Sequence, residues 1–395
     1  MVDLCGRTAM NKIITDQRHQ FSSRVNDLHP SPIREILSVI DRPGMISFAG
    51  GLPAVESFPH MSLEGMPQPM LQYGASEGEL ELRQQIAQNL CERGLSCTEE
   101  QVLIISGSQQ GIDLVAKLFI DEGTPVAVES PTYLAALQVF RFFGAQFVAY
   151  DSTQPDIDKL RTEKPAFAYT IPTFQNPSGH CLDTEQRELL AKTCDDIMLP
   201  LFEDDPYHDL VYDPCERKPV CASLQRASWI YQGSFSKSLS PALRLGYLVA
   251  SSELIPYLTR LKQAADLHSS RISQWLVLQQ LRSPRHTEHM HELAAYYRTR
   301  RDAFEISLQR HFGSLATWKK PAGGLFFWLT LNRCIDTRQL LPKALASNIA
   351  FMPGESFLPH SSEGCGQLRL NFSHATEEQA DVGLKILAGL VQEHA

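Results

Sequence analysis

Short apolar runs bounded by Gly, Pro, Ser or Asp recur through the first two thirds of the chain. Val102–Ser106, Pro125–Val128, Gln146–Ala149, Ala166–Ile171, Leu199–Phe202, Trp229–Tyr231 and Leu245–Ala250 all read as buried strands. Between several of them lie amphipathic segments with helical spacing, such as Gln109–Ile120, Tyr133–Phe143 and Thr184–Asp195. This alternation predicts an α/β architecture: a mostly parallel sheet with helices on both faces. After Ser251 the pattern changes. Helical stretches run from Glu253 to Leu281 and from about His286 to Arg310, and further ones cover Thr337–Ser347 and Thr376–Gln392. Strands are expected at Leu325–Leu331, Ile349–Met352 and Leu368–Phe372, so the tail reads as a smaller α+β domain. Residues 1–45 are polar and irregular, with a short helical pattern beginning near Ser31; Phe48–Pro53 is a Gly/Pro-rich loop. The expected organisation is an arm over 1–45 packing with the small domain, a large domain over 46–284 and a small domain over 285–395. Ser283-Pro284 is the expected hinge.

Composition narrows the classes open to such a chain. Of 395 residues, 43% are apolar and 21% charged, an ordinary globular mix that excludes a disordered or low-complexity chain. A chain of this length buries a large core without disulfides or structural metals. Its 36 Lys and Arg against 45 Asp and Glu leave a formal charge of −9. That balance argues against a general nucleic-acid binder, because neutralising phosphates takes clustered cations. The nine cysteines, at 5, 91, 97, 181, 194, 215, 221, 334 and 365, include no Cys-x-x-Cys pair. They read as reduced thiols rather than a disulfide frame or zinc site. No apolar run approaches the roughly 20 residues that span a bilayer, and Met1 to Arg24 lack the apolar stretch of a secretory signal. The expectation is a cytoplasmic protein with no membrane, metal or nucleic-acid partner.

Ligands of such sheets collect beyond the carboxyl ends of the strands, so the turns there carry the candidate chemistry. Gly107-Ser108-Gln109-Gln110-Gly111 is either a plain Ser-capped helix start or a cradle whose free N–H groups receive an anion. Tyr133, after Glu129-Ser130-Pro131, is either core packing or a platform for a flat ring. Gln175-Asn176-Pro177-Ser178-Gly179 is rich in turn formers and also offers amides. Glu203-Asp204-Asp205-Pro206-Tyr207 sets three carboxylates directly after an apolar run. A metal could answer them, yet no His/Asp set with ligand spacing surrounds them; a protonated heterocycle could answer them too. Gly233-Ser234-Phe235-Ser236-Lys237 frames a lysine with hydroxyls, and Arg244 follows seven residues later. That lysine is either a solvated surface charge or a desolvated, imine-forming nucleophile beside a phosphate-holding arginine.

The five turns are ambiguous singly, but their order is not. A cradle, an aromatic, an Asn, Asp-x-x-Tyr and Ser-x-x-Lys with a downstream Arg appear in one consistent sequence. The chain resembles the fold-type I pyridoxal-phosphate aminotransferases, class I/II, over nearly its whole length. Ile46–Pro53, Leu71-Gln72-Tyr73, Gly107–Gln110 and Gly233–Lys237 bring it nearer to the α-aminoadipate and kynurenine aminotransferase subgroup. The resemblance implies pyridoxal 5′-phosphate as cofactor and a homodimer with shared active sites. It implies that Lys237 forms an imine with the cofactor and shuttles the proton between Cα and the cofactor C4′. Asp204, preferred over Asp205 for its three-residue spacing to Tyr207, would pair with the pyridinium nitrogen. Tyr207 and Asn176 would hydrogen-bond the cofactor 3′ oxygen, and Tyr133 would stack on the ring. Ser108, Gln109, Ser234, Ser236 and Arg244 would hold the phosphate, with Tyr73 reaching across from a second subunit.

The same resemblance assigns Arg369, in Gln367–Phe372, to the substrate α-carboxylate, where a planar fork binds in bidentate fashion. Gly51 and Asn176 would complete that site. Arg34 matches an N-terminal arginine that meets the substrate side chain in aminoadipate enzymes, or is an exposed charge beside Glu35. Between Pro59 and Tyr73 the chain is shorter than in the subgroup, and Gly65, Pro67 and Pro69 interrupt any helix. The expected function is ping-pong transfer of an amino group from an L-amino acid to a 2-oxo acid. A lyase acting by β- or γ-elimination on the same scaffold is an alternative. A regulator with an aminotransferase-like sensor domain is a more distant one, the residues before Ser31 being too few for a winged-helix module. The physiological donor and acceptor stay open.

Overall fold

The computed structural model describes residues 22–26, 42–360 and 366–394. Ile46–Ser47 (β1) precedes a seven-stranded sheet made of Val102–Ile105 (β2), Pro125–Glu129 (β3), Gln146–Tyr150 (β4), Ala168–Thr170 (β5), Leu201–Asp205 (β6), Trp229–Ser234 (β7) and Gly246–Ala250 (β8). The strand order is β2-β8-β7-β6-β5-β3-β4, and all pairs are parallel except those of β8, which runs antiparallel to both neighbours. Each of the seven runs expected as a strand lies in this sheet. They were legible because a parallel sheet covered on both faces buries every position. In β2, Val102 and Ile104 enter one core while Leu103 and Ile105 enter the other. The two faces of the sheet thus build two separate cores.

Two strand ends differ from the sequence expectation, for one reason. β6 and β7 continue past their apolar residues, so Glu203, Asp204 and Asp205 lie inside β6, and Gly233 and Ser234 inside β7. Polar residues can hold buried strand positions when each finds a partner, and each carboxylate here does. The first helix of the cradle also differs: Gly107, at φ +82°, is its N-cap, and Ser108 is its first residue (Ser108–Phe119). The cap is therefore a glycine taking a left-handed backbone, not a serine.

A second, four-stranded antiparallel sheet joins Ala316–Trp318 (β9), Phe326–Leu331 (β10), Met352–Pro353 (β12) and Gln367–Asn371 (β13) in the order β12-β13-β10-β9. The long helix His286–Phe312 and the helices Thr337–Ala346 and Glu377–His394 cover it around a core that includes Phe304, Leu308, Phe327, Leu329, Leu370 and Leu384. The run Ile349–Met352, expected as one strand, is divided. Ile349–Ala350 (β11) pairs in parallel with β1, and β12 pairs with β13. This division leads the chain after β1 across the second sheet: Phe48 N–H donates to Ala350 O at 2.7 Å, and Asn371 N–H donates to Phe48 O at 2.8 Å. The loop 49–53 is thereby delivered between the two sheets. The helical region after Ser251 is two helices, Ile255–Asp266 and Arg271–Arg282, parted at Leu267, whose φ is +66°. Among the described residues, no helix is long and apolar enough to cross a membrane.

Candidate active site

Alternation along β6 separates the three carboxylates. Asp204 accepts from Tyr169 Oη at 2.8 Å and from Gln232 Nε2 at 2.7 Å. On the opposite face, Asp205 meets Tyr231 Oη and His208 Nδ1, both at 2.9 Å, and Glu203 accepts from Cys221 N–H at 2.9 Å. Burial pushes Asp204 up to about 6, while the bonds from Gln232 and Tyr169 hold it down. Burial pushes Glu203 up to about 7, with the charge of Asp205 adding to the effect. Gln232 fixes which way Asp204 faces. A Cβ on Gly111 would stand 1.9 Å from Gln232 Oε1, so the helix Ser108–Phe119 packs against the Asp204 face of the sheet. That helix opens at the cradle, and Asp204 therefore lies on the cradle side.

At the cradle, Arg244 sits against the helix start. A Cβ on Gly107 would come 2.6 Å from Arg244 Nη2, so glycine leaves the space that the guanidinium uses. Ser108 and Gln109 occupy the first helical turn, where N–H groups lack intrahelical partners and favour an anion. Behind them Gln110 Oε1 accepts from Ser106 N–H at 2.8 Å and from Lys262 Nζ at 3.0 Å. Lys262 is fully buried and pairs with Asp266 at 2.6 Å. Ser234 Oγ accepts from Ser236 N–H at 3.2 Å, bracing the β7 exit on which Lys237 follows.

Lys237 Nζ donates to Gly51 O at 2.7 Å, so the loop after β1 reaches the lysine through its backbone. Burial, then the cations of Arg369 and Arg244, lower its pKa to about 8. Tyr207 is buried, hydrogen-bonds Asn176, and meets Phe326 edge-on with ring centroids 5.8 Å apart. Burial and nearby Asp204 push Tyr133 up to about 12.

Arg369 is 3% exposed. Nη1 donates to Asn176 Oδ1 at 2.8 Å, Nη2 donates to Ala49 O, and Nε has no partner. Its guanidinium carbon lies 4.2 Å from the Phe326 ring centroid and 4.9 Å from that of Phe357. Burial pulls it down to about 10. A buried guanidinium that meets only neutral acceptors and ring faces, with an N–H to spare, suits an incoming carboxylate.

Lys237, Asp204, Tyr207, Asn176, Tyr133, Arg244, Arg369, Gly51 and the cradle residues Ser108 and Gln109 thus converge where the two sheets face each other. Tyr73 does not join them. It is 76% exposed and meets His268 edge-on at 5.7 Å. Its segment is pinned by Arg271, which donates to Pro69 O at 2.7 Å and to Tyr73 O at 3.3 Å. Arg34 lies outside the described residues. Between Pro59 and Tyr73 the one helical turn is Gln68–Leu71. Gln232, Tyr169, Phe326 and Phe357 are the contributors that sequence reasoning did not single out. Gln232 stands two positions before Ser234 on the same strand, so strand alternation was the signal that could have found it.

Comparison with known proteins agrees with this geometry. The pattern of the family "Aminotransferase class I and II" matches residues 47–387. An aromatic-amino-acid aminotransferase of Thermococcus litoralis is 35% identical over 96% of this chain and 95% of its own. A 2-aminoadipate transaminase of Thermus thermophilus is 35% identical over 92% of this chain and 93% of its own. The crystal structure of a kynurenine aminotransferase from Pyrococcus horikoshii, in complex with PMP, superposes with a TM-score of 0.89 at 32% identity, covering 96% of this chain and 99% of that one. The chain belongs to the class I and II aminotransferases, enzymes whose cofactor is pyridoxal phosphate.

Proposed function

We propose that this aminotransferase moves the amino group of an L-amino acid to a 2-oxo acid in two half-reactions at one site, a ping-pong cycle centred on Lys237. The observation that carries the reading is the lysine itself. Buried near the cations of Arg369 and Arg244, its amine donates to Gly51 O at 2.7 Å, and Arg369 has no carboxylate partner among the described residues. The residues present fit pyridoxal phosphate on three counts. An amine far below the ordinary lysine range stands ready for an aldehyde. A buried carboxylate on the cradle side stands ready for a ring nitrogen. A glycine-lined helix start backed by Arg244 stands ready for a phosphate.

When bound, the cofactor supplies an aldehyde that condenses with amines and a ring that withdraws electrons from the adjoining carbon. Lys237 is the amine we assign to that aldehyde and the base that takes the proton from the substrate Cα. With a pKa near 8, it is neutral far more often at physiological pH than an exposed lysine. Asp204, ionised, keeps a proton at the ring nitrogen, and Gln232 and Tyr169 hold it ready for that work. Tyr207 and Asn176 serve the ring's 3′ oxygen, and Tyr133 covers a ring face. Ser108, Gln109, Ser234, Ser236 and Arg244 hold the phosphate. Arg369, backed by Asn176, binds the α-carboxylate of donor and acceptor alike, and Gly51 lines that subsite. For Arg34 two readings stay open, a contact to the substrate side chain and an exposed charge beside Glu35.

We also propose a twofold dimer in which Tyr73 completes the partner's phosphate site. Support comes from a large aromatic that is held in place by Arg271 yet 76% exposed. We also propose the division at Ser283-Pro284 into a large unit over 46–284 and a small one over 285–395, supported by the change there from the helix Arg271–Arg282 to the long helix His286–Phe312 that covers the second sheet. The test is a donor panel incubated with 2-oxoglutarate or pyruvate. The expected result is new amino acid formed one-for-one with the donor's 2-oxo acid, with parallel double-reciprocal plots. Release of ammonia with no need for an acceptor would replace transfer by elimination.

A further inference from the structure

Cys181 and Cys215 take no part in the chemistry above, yet among the described thiols they stand out. The two side chains are neighbours that open on one cavity. Cys181 Sγ also donates to the carbonyl of Glu216, the residue after Cys215, at 3.1 Å. Arg187 Nη2 lies 3.6 Å from Cys181 Sγ. That guanidinium is buried, and its other acceptors are all neutral: the carbonyls of Leu182, Lys218, Pro172 and Glu216 and the Thr173 hydroxyl. On giving up the proton that now bonds Glu216 O, a Cys181 thiolate would face this buried cation and the neighbouring Cys215 thiol. The Cys215 thiol first, then the Arg187 cation, lower Cys181 to about 7 against the effect of burial. By contrast, burial raises the Cys194 thiol to about 12. Both Cys181 and Cys215 are half-buried and open on a cavity of about 810 Å³, which Lys319, Lys320 and His180 also line.

We propose that Cys181 and Cys215 form a reversible dithiol–disulfide site, with a hydroperoxide as oxidant. The Cys181 thiolate attacks one peroxide oxygen, the O–O bond breaks, and hydroxide (or alkoxide) leaves, giving the sulfenic acid. Cys215 then attacks that sulfur; the S–O bond breaks, water leaves and the S–S bond forms. Two electrons pass from the sulfurs to the peroxide, and dithiothreitol returns them. The bond would tie Cys181, five residues beyond Asn176, to the segment that begins after Tyr212.

The test uses the wild-type holoenzyme treated with hydrogen peroxide, alkylated with N-ethylmaleimide, digested without reduction and mapped by mass spectrometry. The expected product is a peptide pair joined through Cys181 and Cys215, two hydrogens lighter than the separate thiols and released by dithiothreitol. In Cys215→Ser, dimedone is expected at Cys181 before Cys97, Cys194 or Cys221. Recovery of both residues as alkylated thiols while other cysteines oxidise would overturn the proposal. So would earlier dimedone capture at Cys97, Cys194 or Cys221. If Cys215→Ser does not fold, the wild-type map decides by itself.

Discussion

Gln232→Leu tests how Asp204 is kept charged. Gln232 reaches Asp204 through Nε2 alone, at 2.7 Å, and its Oε1 has no partner, so leucine removes one bond and strands nothing else. A hydrogen bond to a charged group contributes about 1.5–3 kcal/mol, which is roughly a ten- to hundredfold change in the ionisation equilibrium. The direction follows from the causes. Burial raises Asp204, the Gln232 bond lowers it, and removing the lowering bond raises it further from about 6. At pH 7 a group at about 6 is ionised by roughly tenfold over its acid form. The variant would range from even populations to about a tenfold excess of the acid. A cationic ring nitrogen pulls Asp204 down in both proteins, so the difference between them persists. The assay is kcat against pH with a saturating donor. The acid limb of the variant is expected to move to higher pH by about one to two units, so that kcat at pH values on that limb falls by roughly ten- to hundredfold. A folded variant whose acid limb stays where it is in the wild type would refute the reasoning, since the lost bond should move it by about one to two units.

Four further outcomes follow from particular contacts. Gly111→Ala sets a methyl 1.9 Å from Gln232 Oε1 and 2.9 Å from Ile105 Cδ1; overpacking of about 1–3 kcal/mol should lower Tm and shift the same acid limb, which thermal melts and kcat profiles would reveal. Arg369→Gln removes a two-pronged charged contact worth about 3–6 kcal/mol, so kcat/KM should fall by at least about a hundredfold for every L-amino acid in a donor panel. Capture of cofactor by the apoenzyme should speed up as pH rises through about 8, because the neutral Lys237 amine is the nucleophile; Arg369→Gln, lacking one of the cations that lower it, should move that rise to higher pH in stopped-flow absorbance. Tyr297→Phe leaves Ala54 N–H without the 2.8 Å bond it makes to Tyr297 Oη, and chemical denaturation should register a loss of about 1–3 kcal/mol.

The principal sheet was legible because its strands are buried on both faces, so apolar runs bounded by turn residues mark them directly. The same logic stopped short at Phe202. The pattern ends where the apolar residues end, although Glu203, Asp204 and Asp205 continue β6 by each finding a partner. The helix Leu80–Glu92 announces itself only through Leu82, Ile86 and Leu90, and β9 is too short for any pattern. At the site, motif order singled out Lys237, Asp204 and Asn176 as candidates, and the family resemblance singled out Arg369. Neither signal reached the residues that make them work. Gln232, Tyr169 and Phe357 are ordinary buried positions until strand register and packing bring them against Asp204 and Arg369. Of the two readings of Gly107–Gly111, the Ser-capped start is set aside because the approach of Arg244 requires glycine at 107, which is the cap.

The central claim is that Lys237 is the amine that joins the cofactor. Borohydride reduction of the holoenzyme, followed by digestion and mass spectrometry, tests it without any substrate. The reduced phosphopyridoxyl group is expected on the peptide that contains Lys237 and on no other lysine, with labelling lost in Lys237→Ala. Label on a different lysine, such as the buried Lys262, or undiminished label in Lys237→Ala, would contradict it.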